Sequence, residues 1–490
     1  MRILQVSAEI FPLLKTGGLA DIAGALPPAL LAAGCDIRVL LPGFPAVMAG
    51  LKDPVRVGAF GTPWGDQVEV LFGALPAVSQ GAHTVFAYVL SAPALYNRPG
   101  NPYEDAHKQA YADNHRRFAA LGWAAAHLAH GLDRLWRAQL VHAHDWHAAL
   151  APACLAAWND GRGARVPSVF TIHNLAYQGV FWPQNFPDLG LPGPMFSMHG
   201  LEYYGQISFM KAGLTYASHI TTVSPTYARE IQTPEQGCGL DGLLRDRAGS
   251  LSGILNAVDD HVWNPAKDVH LKHHFDVRNM AGKALNKAAL QTEMGLAVSA
   301  DAPLFAVVSR LTEQKGLPLV LAGLDEIIGR GGQLLVLGNG DTALEQAFAH
   351  HARGNPAQIA FRTGYDESLA HRIFAGSDII QVPSRFEPCG LTQMYGLKYG
   401  TLPLVRRVGG LADTVTDTDL ETLDNQSATG IVFNEFTVED YRHAVRRAFA
   451  LYHRRSDWSH VRQTGMRIAF DWATAAQRYT TLYESLIQAP

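Results

Sequence analysis

The sequence predicts an α/β protein with two domains, each built around a parallel β-sheet. Short apolar runs recur along the chain, and each is followed by a turn and a longer amphipathic or alanine-rich stretch, which is the pattern of βα units. The chain has 490 residues. Because single cores stop growing near about 250–300 residues, a chain of this length is expected to divide into two large domains.

Two series of strands follow from these runs. The first is predicted at Arg2 to Val6, Ile37 to Leu41, Leu140 to Ala143, Val166 to Ile172 and Ile220 to Val223. The second is predicted at Leu304 to Val308, Gln333 to Leu337, Ile379 to Val382 and Leu402 to Val405, with helices such as Thr342 to Ala352 between the strands. The glycine-rich, charged stretch Gly239 to Gly253 is the predicted boundary, giving domains at 1–245 and 250–471. A final helix is predicted over 472–490.

Composition, charge and cysteine usage exclude several classes of protein. Charged residues make up 17% of the chain and the net charge is −4, without a long basic block, so nucleic acid is not an expected partner. The four cysteines lie far apart without a CxxC pair, which predicts thiols in a reducing compartment rather than disulfides or a zinc site. The early charges of Glu9 and Lys15, and the lack of an apolar run of about 20 residues, predict a cytoplasmic protein without a membrane span.

The first candidate site is Lys15-Thr16-Gly17-Gly18, which follows the first strand and opens a helix. The two glycines allow a ligand to approach the backbone, and the N–H groups at a helix start favour an anion. Lys15 adds a full positive charge, so the segment fits a phosphate group. A turn with a solvated lysine remains the alternative.

The second candidate is the segment from His142 to His147, at the end of another strand. Strand alternation places His142 and His144 on one face, and Asp145 stands where the N-cap of the following helix is expected, with that helix running from His147 to Trp158. Capping and packing, contact with sugar hydroxyls, and a zinc site are all compatible with these residues.

The third candidate, His173-Asn174, also leaves a strand end. Histidine and asparagine hydrogen-bond to hydroxyl groups, and the nearby aromatic residues offer apolar faces for sugar rings. Those residues are Tyr177, Phe181 and Trp182. A structural role for His173 is the alternative.

The second half of the chain offers Arg310 and Lys315, which follow one strand. An arginine that binds bidentately and a lysine that acts as a point charge suit a diphosphate. The alternative is a pair of surface cations balanced by Glu313.

A further loop, from Glu387 to Thr392, follows the strand at Ile379. Backbone N–H groups of Gly390, Leu391 and Thr392 suit a phosphate, while Glu387 can accept hydrogen bonds from sugar hydroxyls. Cys389 beside a helix start is also a candidate nucleophile, although no histidine adjacent in sequence would activate it.

Together these segments resemble the bacterial glycogen synthases, the ADP-glucose-dependent relatives of the plant starch synthases. The resemblance covers nearly the whole chain in order, and it implies the GT-B architecture of two Rossmann-like domains around a cleft. It also implies transfer of glucose from ADP-glucose to the non-reducing 4-hydroxyl of an α-1,4-glucan, with retention and without a metal. The final helix would then pack on the first domain. The rival interpretations are a sugar-nucleotide epimerase and a non-catalytic glucan-binding protein.

The resemblance also implies roles for individual residues. The residues expected around the diphosphate are Lys15, Gly17, Gly18, Arg310, Lys315, Gly390, Leu391 and Thr392, with Tyr365 near the adenine. The residues expected at the glucose are His173, Asn174, Asn256, Glu387 and Cys389, with Asp145 nearby. The expected catalytic groups are His173, Glu387, Arg310, Lys315 and Asp145. Many retaining enzymes of this architecture carry a second glutamate eight residues after the first, and this chain has Tyr395 there, so the ribose contact is left unassigned.

Overall fold

The computed structural model describes residues 1–81, 83–158 and 166–488, and within them the chain forms two compact units. Unit 1 comprises Met1–Ala257 and Trp472–Pro490, and unit 2 comprises Val258–Asp471. The boundary lies after the stretch where the sequence placed it, because a strand at Leu251–Gly253 pairs with the sheet of unit 1. Residues 489 and 490 of the predicted final helix lie outside the described residues.

Unit 1 is built on a mostly parallel sheet. Its strands are β1 (Arg2–Val6), β2 (Asp36–Pro42), β3 (Lys52–Gly61), β4 (Gln67–Ala74), β5 (Phe86–Ser91), β6 (Leu140–His144), β7 (Ser168–Ile172), β11 (His219–Thr222) and β12 (Leu251–Gly253). Their order is β12-β11-β7-β6-β1-β2-β5-β4-β3, with β3 and β4 antiparallel at one edge. A small antiparallel sheet contains β8 (Val180–Phe181), β9 (Glu202–Tyr203) and β10 (Gln206–Ser208). The central strands are buried on both faces, as expected of a covered parallel sheet.

Helices cover the sheet of unit 1. They are α1 (Gly18–Ala32), α2 (Pro45–Gly50), α3 (Pro93–Tyr96), α4 (Asn114–Ala129), α5 (Asp145–Ala148), α6 (Leu150–Ala157), α7 (Phe209–Tyr216), α8 (Pro225–Glu230), α9 (Asp241–Asp246) and α20 (Trp472–Gln488). The last helix packs against α1, and its Tyr479 and Tyr483 share one buried cluster with Ile3 and Leu140. The end of the chain therefore completes the core of its first unit.

Unit 2 contains a fully parallel sheet. Its strands are β13 (Leu304–Val308), β14 (Gln333–Gly338), β15 (Ile359–Thr363), β16 (Ile379–Val382), β17 (Leu402–Arg406) and β18 (Ile431–Phe433). Its helices are α10 (Ala281–Glu293), α11 (Leu317–Ala322), α12 (Leu324–Gly329), α13 (Thr342–Gly354), α14 (Glu367–Gly376), α15 (Thr392–Lys398), α16 (Gly409–Thr414), α17 (Leu420–Asp424), α18 (Val438–His453) and α19 (Arg455–Met466). The strand order β15-β14-β13-β16-β17-β18 is that of a doubly wound Rossmann sheet.

Both sheets reverse their winding direction at one place. In unit 1 the chain moves from β1 toward β2 and later returns to β6 on the other side of β1. In unit 2 it moves from β13 toward β14 and later returns to β16. Ligands of open α/β sheets bind outside the carboxyl ends of the strands at such a switch point. The loops after β1 and β6 in unit 1, and after β13 and β16 in unit 2, are therefore the expected binding loops. No helix in the described ranges has the length and apolar character needed to cross a membrane.

Candidate active site

The Lys15 loop of unit 1 is held in place by a buried carboxylate at the end of β1. Glu9 accepts hydrogen bonds from the backbone N–H of Thr16 at 2.6 Å and from the Thr16 hydroxyl at 2.5 Å. The Tyr103 hydroxyl also donates to Glu9. Lys15 itself pairs with Asp21 of α1 at 2.9 Å. Sequence reasoning missed Glu9 and Tyr103 as members of this site, since the available signal was a charged residue three positions after a buried strand.

Gly17 in this loop is not required by packing within the protein. A Cβ atom at Gly17 would meet no heavy atom within 4 Å, and its φ of −160° is extended backbone. Gly24, about two helical turns further along, differs, since a Cβ there would lie 2.4 Å from the carbonyl oxygen of Phe11. The space beside Gly17 therefore suits close approach by a ligand.

The histidines at the end of β6 form a connected group with His173 at the end of β7. The rings of His142 and His144 lie 4.0 Å apart, which confirms that they share a face. Nδ1 of His144 and Nε2 of His173 are 3.0 Å apart and joined by a hydrogen bond. Both nitrogens of His142 are engaged, with the Tyr483 hydroxyl at 2.7 Å and the Thr171 hydroxyl at 2.6 Å. Among the described residues, no group of three or more His, Cys, Asp or Glu is arranged to hold a metal ion.

Asp145 does not cap the following helix as the sequence suggested. The N-cap position belongs to His144, without a capping hydrogen bond from its side chain, and Asp145 is the first residue of α5, with a left-handed φ of 60°. The helix predicted from His147 to Trp158 is divided into α5 and α6. Burial raises the pKa of Asp145 to about 8, against the opposing effect of backbone N–H groups at Asn174, Trp146 and His173.

Several polar atoms around Asp145 lack a hydrogen-bond partner within the described part of the chain. These buried atoms are Oδ1 of Asp145, Nε2 of His144 and Nδ1 of His147. Burial also lowers the pKa of His173 to about 3 and that of His147 to about 3. Burial therefore favours the neutral forms of these histidines and of Asp145. Because buried polar atoms are normally paired, the unpaired oxygen of Asp145 fits a bound hydroxyl.

The aromatic residues after His173 separate into two kinds. Tyr177 is 45% exposed and Trp182 is 68% exposed, so both can offer a face to a sugar ring. Phe181 is half-buried and packs on Phe209 with ring centroids 4.8 Å apart, so less of its ring is free for a sugar. Asn174 lies half-buried directly after His173, and its side chain accepts a hydrogen bond from the backbone N–H of Ala176 at 3.1 Å.

The remaining residue expected at the glucose in unit 1 is Asn256, which is buried and follows β12. It lies three residues after the end of β12, an edge strand of the first sheet. The structure therefore places Asn256 in unit 1, although the predicted domain bounds assigned it to the second domain.

The predicted diphosphate residues of unit 2 lie at its switch point. Arg310 is exposed after β13, and Lys315 ends a short 3-10 helix over Glu313–Lys315. The Nζ atom of Lys315 lies 2.6 Å from Oε2 of Glu387, which follows the neighbouring strand β16. The structure thus joins two motifs that are 72 residues apart in the sequence. The partner of Lys315 is Glu387 rather than Glu313, which pairs with Arg385 at 2.8 Å.

The Glu387 loop is shaped by glycines on two elements. Gly390 has a φ of 70°, a left-handed conformation that favours glycine. Gly409 and Gly410 at the start of α16 allow close approach, because added Cβ atoms would lie 1.9 Å from the Glu387 carbonyl oxygen and 2.2 Å from that of Cys389. Ser384 also donates to Glu387 at 2.9 Å. Sequence reasoning missed Ser384, Gly409 and Gly410, and the Gly-Gly pair after a strand was the available signal.

The other predicted residues of unit 2 occupy different environments. Leu391 and Thr392 are half-buried where α15 begins, and Cys389 is buried beside them. Tyr365 follows β15 and is 64% exposed, and the next residue, Asp366, caps α14 through the backbone N–H of Leu369 at 2.8 Å. An exposed aromatic ring after a strand end is compatible with stacking on a nucleobase.

Tyr395 belongs to an interior stack in unit 2. Its ring centroid lies 3.8 Å from that of Trp263, and the Trp263 ring also stacks on His371 at 3.7 Å. The rings of both pairs are nearly parallel. His371 in turn hydrogen-bonds to Asp268 at 2.7 Å, and Tyr399 donates to the same carboxylate at 2.5 Å. The ring of Tyr395 is thus committed to packing, and the ribose contact stays unassigned.

Comparison with known proteins finds related glycosyltransferases for both units of the chain. Residues 2–246 match the family model of the starch synthase catalytic domain, and residues 295–461 match that of the glycosyl transferases group 1. The chain is 61% identical to a glycogen synthase of Variovorax paradoxus, covering 100% of this chain and 99% of the relative. It is 58% identical to a glycogen synthase of Leptothrix cholodnii, covering 99% and 100%.

Solved structures agree. The catalytic domain of starch synthase IV from Arabidopsis thaliana, bound to ADP and acarbose, matches with a TM-score of 0.88 at 28% identity, covering 99% of each chain. Sucrose-phosphate synthase from Thermosynechococcus elongatus has a TM-score of 0.61 at 17% identity over 100% of each chain, which shows a likeness of fold. The predicted α/β, GT-B fold class is confirmed.

Proposed function

Because the chain belongs to the glycogen synthase family, whose members are glucosyltransferases that elongate glucan, we propose that its donor is ADP-glucose. The proposed acceptor is the non-reducing 4-hydroxyl of an α-1,4-glucan. The starch synthase structure that matches over 99% of the chain holds ADP and acarbose, which supports a nucleotide donor and a glucan-like acceptor. Relatives of the same name along the full chain give no support to the epimerase or the non-catalytic binding protein.

The observation that carries the proposal is the meeting of Lys315 and Glu387 at the switch point of unit 2. We assign Arg310 and Lys315 to the diphosphate of the donor, and Glu387 to a hydroxyl of the glucose beside it. The negative charge on the diphosphate grows as the glycosidic bond breaks, and each preorganised cation that meets this charge is worth roughly 10²–10³ in rate. Backbone N–H groups of Gly390, Leu391 and Thr392 would add hydrogen bonds to phosphate, and Tyr365 would stack on the adenine.

The residues of unit 1 suit the sugar and further phosphate contact. We assign Asp145, with its unpaired Oδ1, to a hydroxyl of the glucose, together with His173, Asn174 and the buried Asn256. Because burial favours the neutral form of His173, this side chain suits hydrogen bonding to a sugar rather than ion pairing. The Lys15 loop, with its open space at Gly17 and the helix start at Gly18, is assigned to phosphate.

The proposed chemistry retains the configuration of the glucose. The acceptor 4-oxygen attacks the anomeric carbon on the face from which the diphosphate leaves, and the acceptor proton passes to the departing phosphate oxygen. Neither acidic group is suited to act as a covalent nucleophile. Burial favours the protonated form of Asp145, whose pKa is raised to about 8, and Glu387 is already engaged by Lys315 and Ser384.

We also propose that the reaction needs no metal and proceeds in the cytoplasm. Arg310 and Lys315 of unit 2 are the cations that we assign to the diphosphate charge. None of the four cysteines, all within the described residues, forms a disulfide, which fits a reducing compartment. Activity that survives EDTA, and recovery of the protein in the cytoplasmic fraction of its host, would support these two points, whereas loss of activity that Mg²⁺ restores would contradict the first.

The decisive test is a donor and product assay. Purified protein is incubated with a short maltodextrin and either ADP-glucose or UDP-glucose, nucleoside diphosphate release is followed, and the new linkage is identified by NMR. We expect faster release from ADP-glucose and a lengthened chain with a new α-1,4 linkage. A β-linkage would overturn retention, and an altered sugar without chain growth would indicate the epimerase.

A further inference from the structure

The predicted site residues of unit 1 leave His144 without a role, yet its ring is hydrogen-bonded to the ring of His173. His144 is fully buried in β6, directly before Asp145, and its Nδ1 lies 3.0 Å from Nε2 of His173. Its ring packs on His142, which is fixed at both nitrogens by Tyr483 of α20 and Thr171 of β7. The ring on which His144 packs is therefore itself held in place by two hydrogen bonds.

The hydrogen bond between the two histidines has only two possible directions when both rings are neutral. Burial, together with the neighbouring histidines, lowers the pKa of His144 well below its usual value, and burial lowers that of His173 to about 3. In a neutral imidazole one nitrogen carries the proton and the other accepts. Either Nδ1–H of His144 donates to His173, or Nε2–H of His173 donates to His144.

The surroundings of the second nitrogen of His144 decide between these directions. Nε2 of His144 is buried and has no hydrogen-bond partner in the described part of the chain. If His173 were the donor, this Nε2 would carry an unpaired N–H in the protein interior, and buried orphan N–H groups are rarer than unpaired acceptors. The other direction leaves only a lone pair there. The favoured arrangement has the proton of His144 on Nδ1.

We propose that His144 is a positioning residue that donates Nδ1–H to Nε2 of His173 and so holds His173 in the tautomer with its proton on Nδ1. His173 then offers an N–H donor, rather than a lone pair, to an oxygen of the bound hexose. This second step rests on the proposed function, which assigns His173 to the sugar, whereas the tautomer itself is a property of the protein alone.

The tautomer is tested by NMR without substrate. Protein labelled with ¹⁵N-histidine gives ring signals whose nitrogen shifts show which nitrogen is protonated, and His173→Asn identifies the signals of His173 by their loss. We expect Nδ1 of His173 to be protonated in the unliganded protein. Protonation on Nε2 would overturn the proposal, whatever the kinetics show.

The consequence for catalysis is tested with two replacements of His144. His144→Asn keeps an N–H on the atom attached to Cγ, where Nδ1 stands, whereas His144→Leu removes the donor. Groups that orient metal-binding histidines are typically worth roughly 10–100-fold in activity. By analogy we expect kcat to fall by about that factor in the Leu variant and to stay within about threefold of wild type in the Asn variant. The Leu variant should also lose the single His173 tautomer.

A matched control separates this effect from general damage to the sheet. His219 is a half-buried histidine in β11, hydrogen-bonded to Ser252 at 2.9 Å, and His219→Leu should leave kcat unchanged. An equal loss of kcat in the Asn and Leu variants would overturn the positioning role. The expected tautomer with unchanged kcat in the Leu variant would overturn the assignment of His173 to the sugar instead. If the Leu variant fails to fold, the wild-type and Asn spectra still decide.

Discussion

The strand-end loops of the two units solve different problems with different residues. Unit 1 gathers buried, neutral groups at the ends of β6 and β7, where burial lowers the pKa of each histidine in the group and raises that of Asp145. Unit 2 presents cations after β13, with Arg310 exposed and Lys315 paired to Glu387. The difference teaches that similar parallel sheets can supply either uncharged hydrogen-bonding groups or fixed charge, according to how deeply the loop residues are buried.

A second contrast shows that burial alone does not decide the charge of a histidine. His371 of unit 2 is as buried as His144 of unit 1. Burial lowers its pKa too, but the hydrogen bond to Asp268 and the nearby carboxylate of Glu367, 3.7 Å from Nε2, reverse the effect, so that the pKa of His371 is raised overall. The carboxylate partner makes the difference.

The largest expected effect comes from removing an exposed cation of unit 2. Arg310→Ala should reduce kcat with ADP-glucose by roughly 10²–10³, because the proposed diphosphate site loses a preorganised positive charge. Steady-state kinetics measures the loss of kcat. Thermal melting should show little change in Tm, since the side chain is exposed. Arg330→Ala is the charge-matched control. Arg330 is an exposed arginine at the C-cap of α12 and pairs with Glu326 in that helix. Equal activity in both variants would contradict the assignment of Arg310.

Lys315→Ala is a less clean change. It would leave the buried carboxylate of Glu387 without its cation, and breaking a buried pair in this way destabilises a protein. The activity of this variant should therefore be read together with its Tm.

The next effect tests the neutral character of unit 1. Between pH of about 4 and 8, folded Asp145 holds a proton that the unfolded chain has released, so this group lowers stability as pH rises through that window. Asp145→Asn removes that penalty and should raise Tm at pH 8 by roughly 1–3 °C. It should also lower kcat by about tenfold or more, because the change alters a group that we assign to the sugar.

Asp133→Asn gives the matching control in the same unit. Asp133 is also buried, but it pairs with Arg38 at 3.0 Å, so its neutralisation should lower Tm at pH 8. Melting curves at pH 6 and pH 8 for both variants provide the measurement. A fall in Tm for Asp145→Asn similar to that for Asp133→Asn would show that Asp145 is not buried at a cost.

A smaller effect concerns the glycines of α1 and the loop before it. Gly17→Ala should leave Tm unchanged, because a Cβ there meets nothing, but should raise KM for ADP-glucose by about tenfold, which corresponds to about 1.4 kcal/mol. Gly24→Ala should instead lower stability by about 1–3 kcal/mol, because its Cβ would overlap the carbonyl of Phe11. Donor titrations and melting of both variants would refute the phosphate role of this loop if KM for Gly17→Ala matched wild type.

The smallest effect concerns the charged histidine of unit 2. A raised pKa means that the stabilisation from His371 is fully present below its unfolded pKa of about 6.5 and is lost as pH rises through its folded value. His371→Gln should therefore lower Tm most near pH 5–6 and least near pH 9. A gap between wild type and variant that stayed constant across pH would show that His371 is not charged.

Much of the fold could be predicted from the sequence because its central strands are short and buried. The strands β1, β13 and β16 have the predicted bounds, since each is a continuous apolar run followed by a turn. The antiparallel pair β3 and β4 was not predicted, because β3 carries mostly exposed residues and therefore lacks an apolar run.

The candidate site was predictable only where one motif carried its own chemistry. Lys315 and Glu387 were each recognisable, but their pairing depends on the adjacency of β13 and β16, which the sequence does not state. The wrong capping role of Asp145 has a local cause, because its left-handed backbone cannot be inferred from residue type. Glu9 and Gly410 act through contacts that form only after folding.

The helix α20 has a consequence for how the protein is made. Residues of α20 complete a cluster that contains Ile3 and Ile37, so unit 1 stays unfinished on the ribosome until almost the whole chain has been synthesised. In the sequence, unit 2 comes between the two segments of unit 1, so it can fold earlier. A nascent chain that stalls before Tyr483 would carry an exposed apolar face on its first unit, which makes it a substrate for chaperones and proteases.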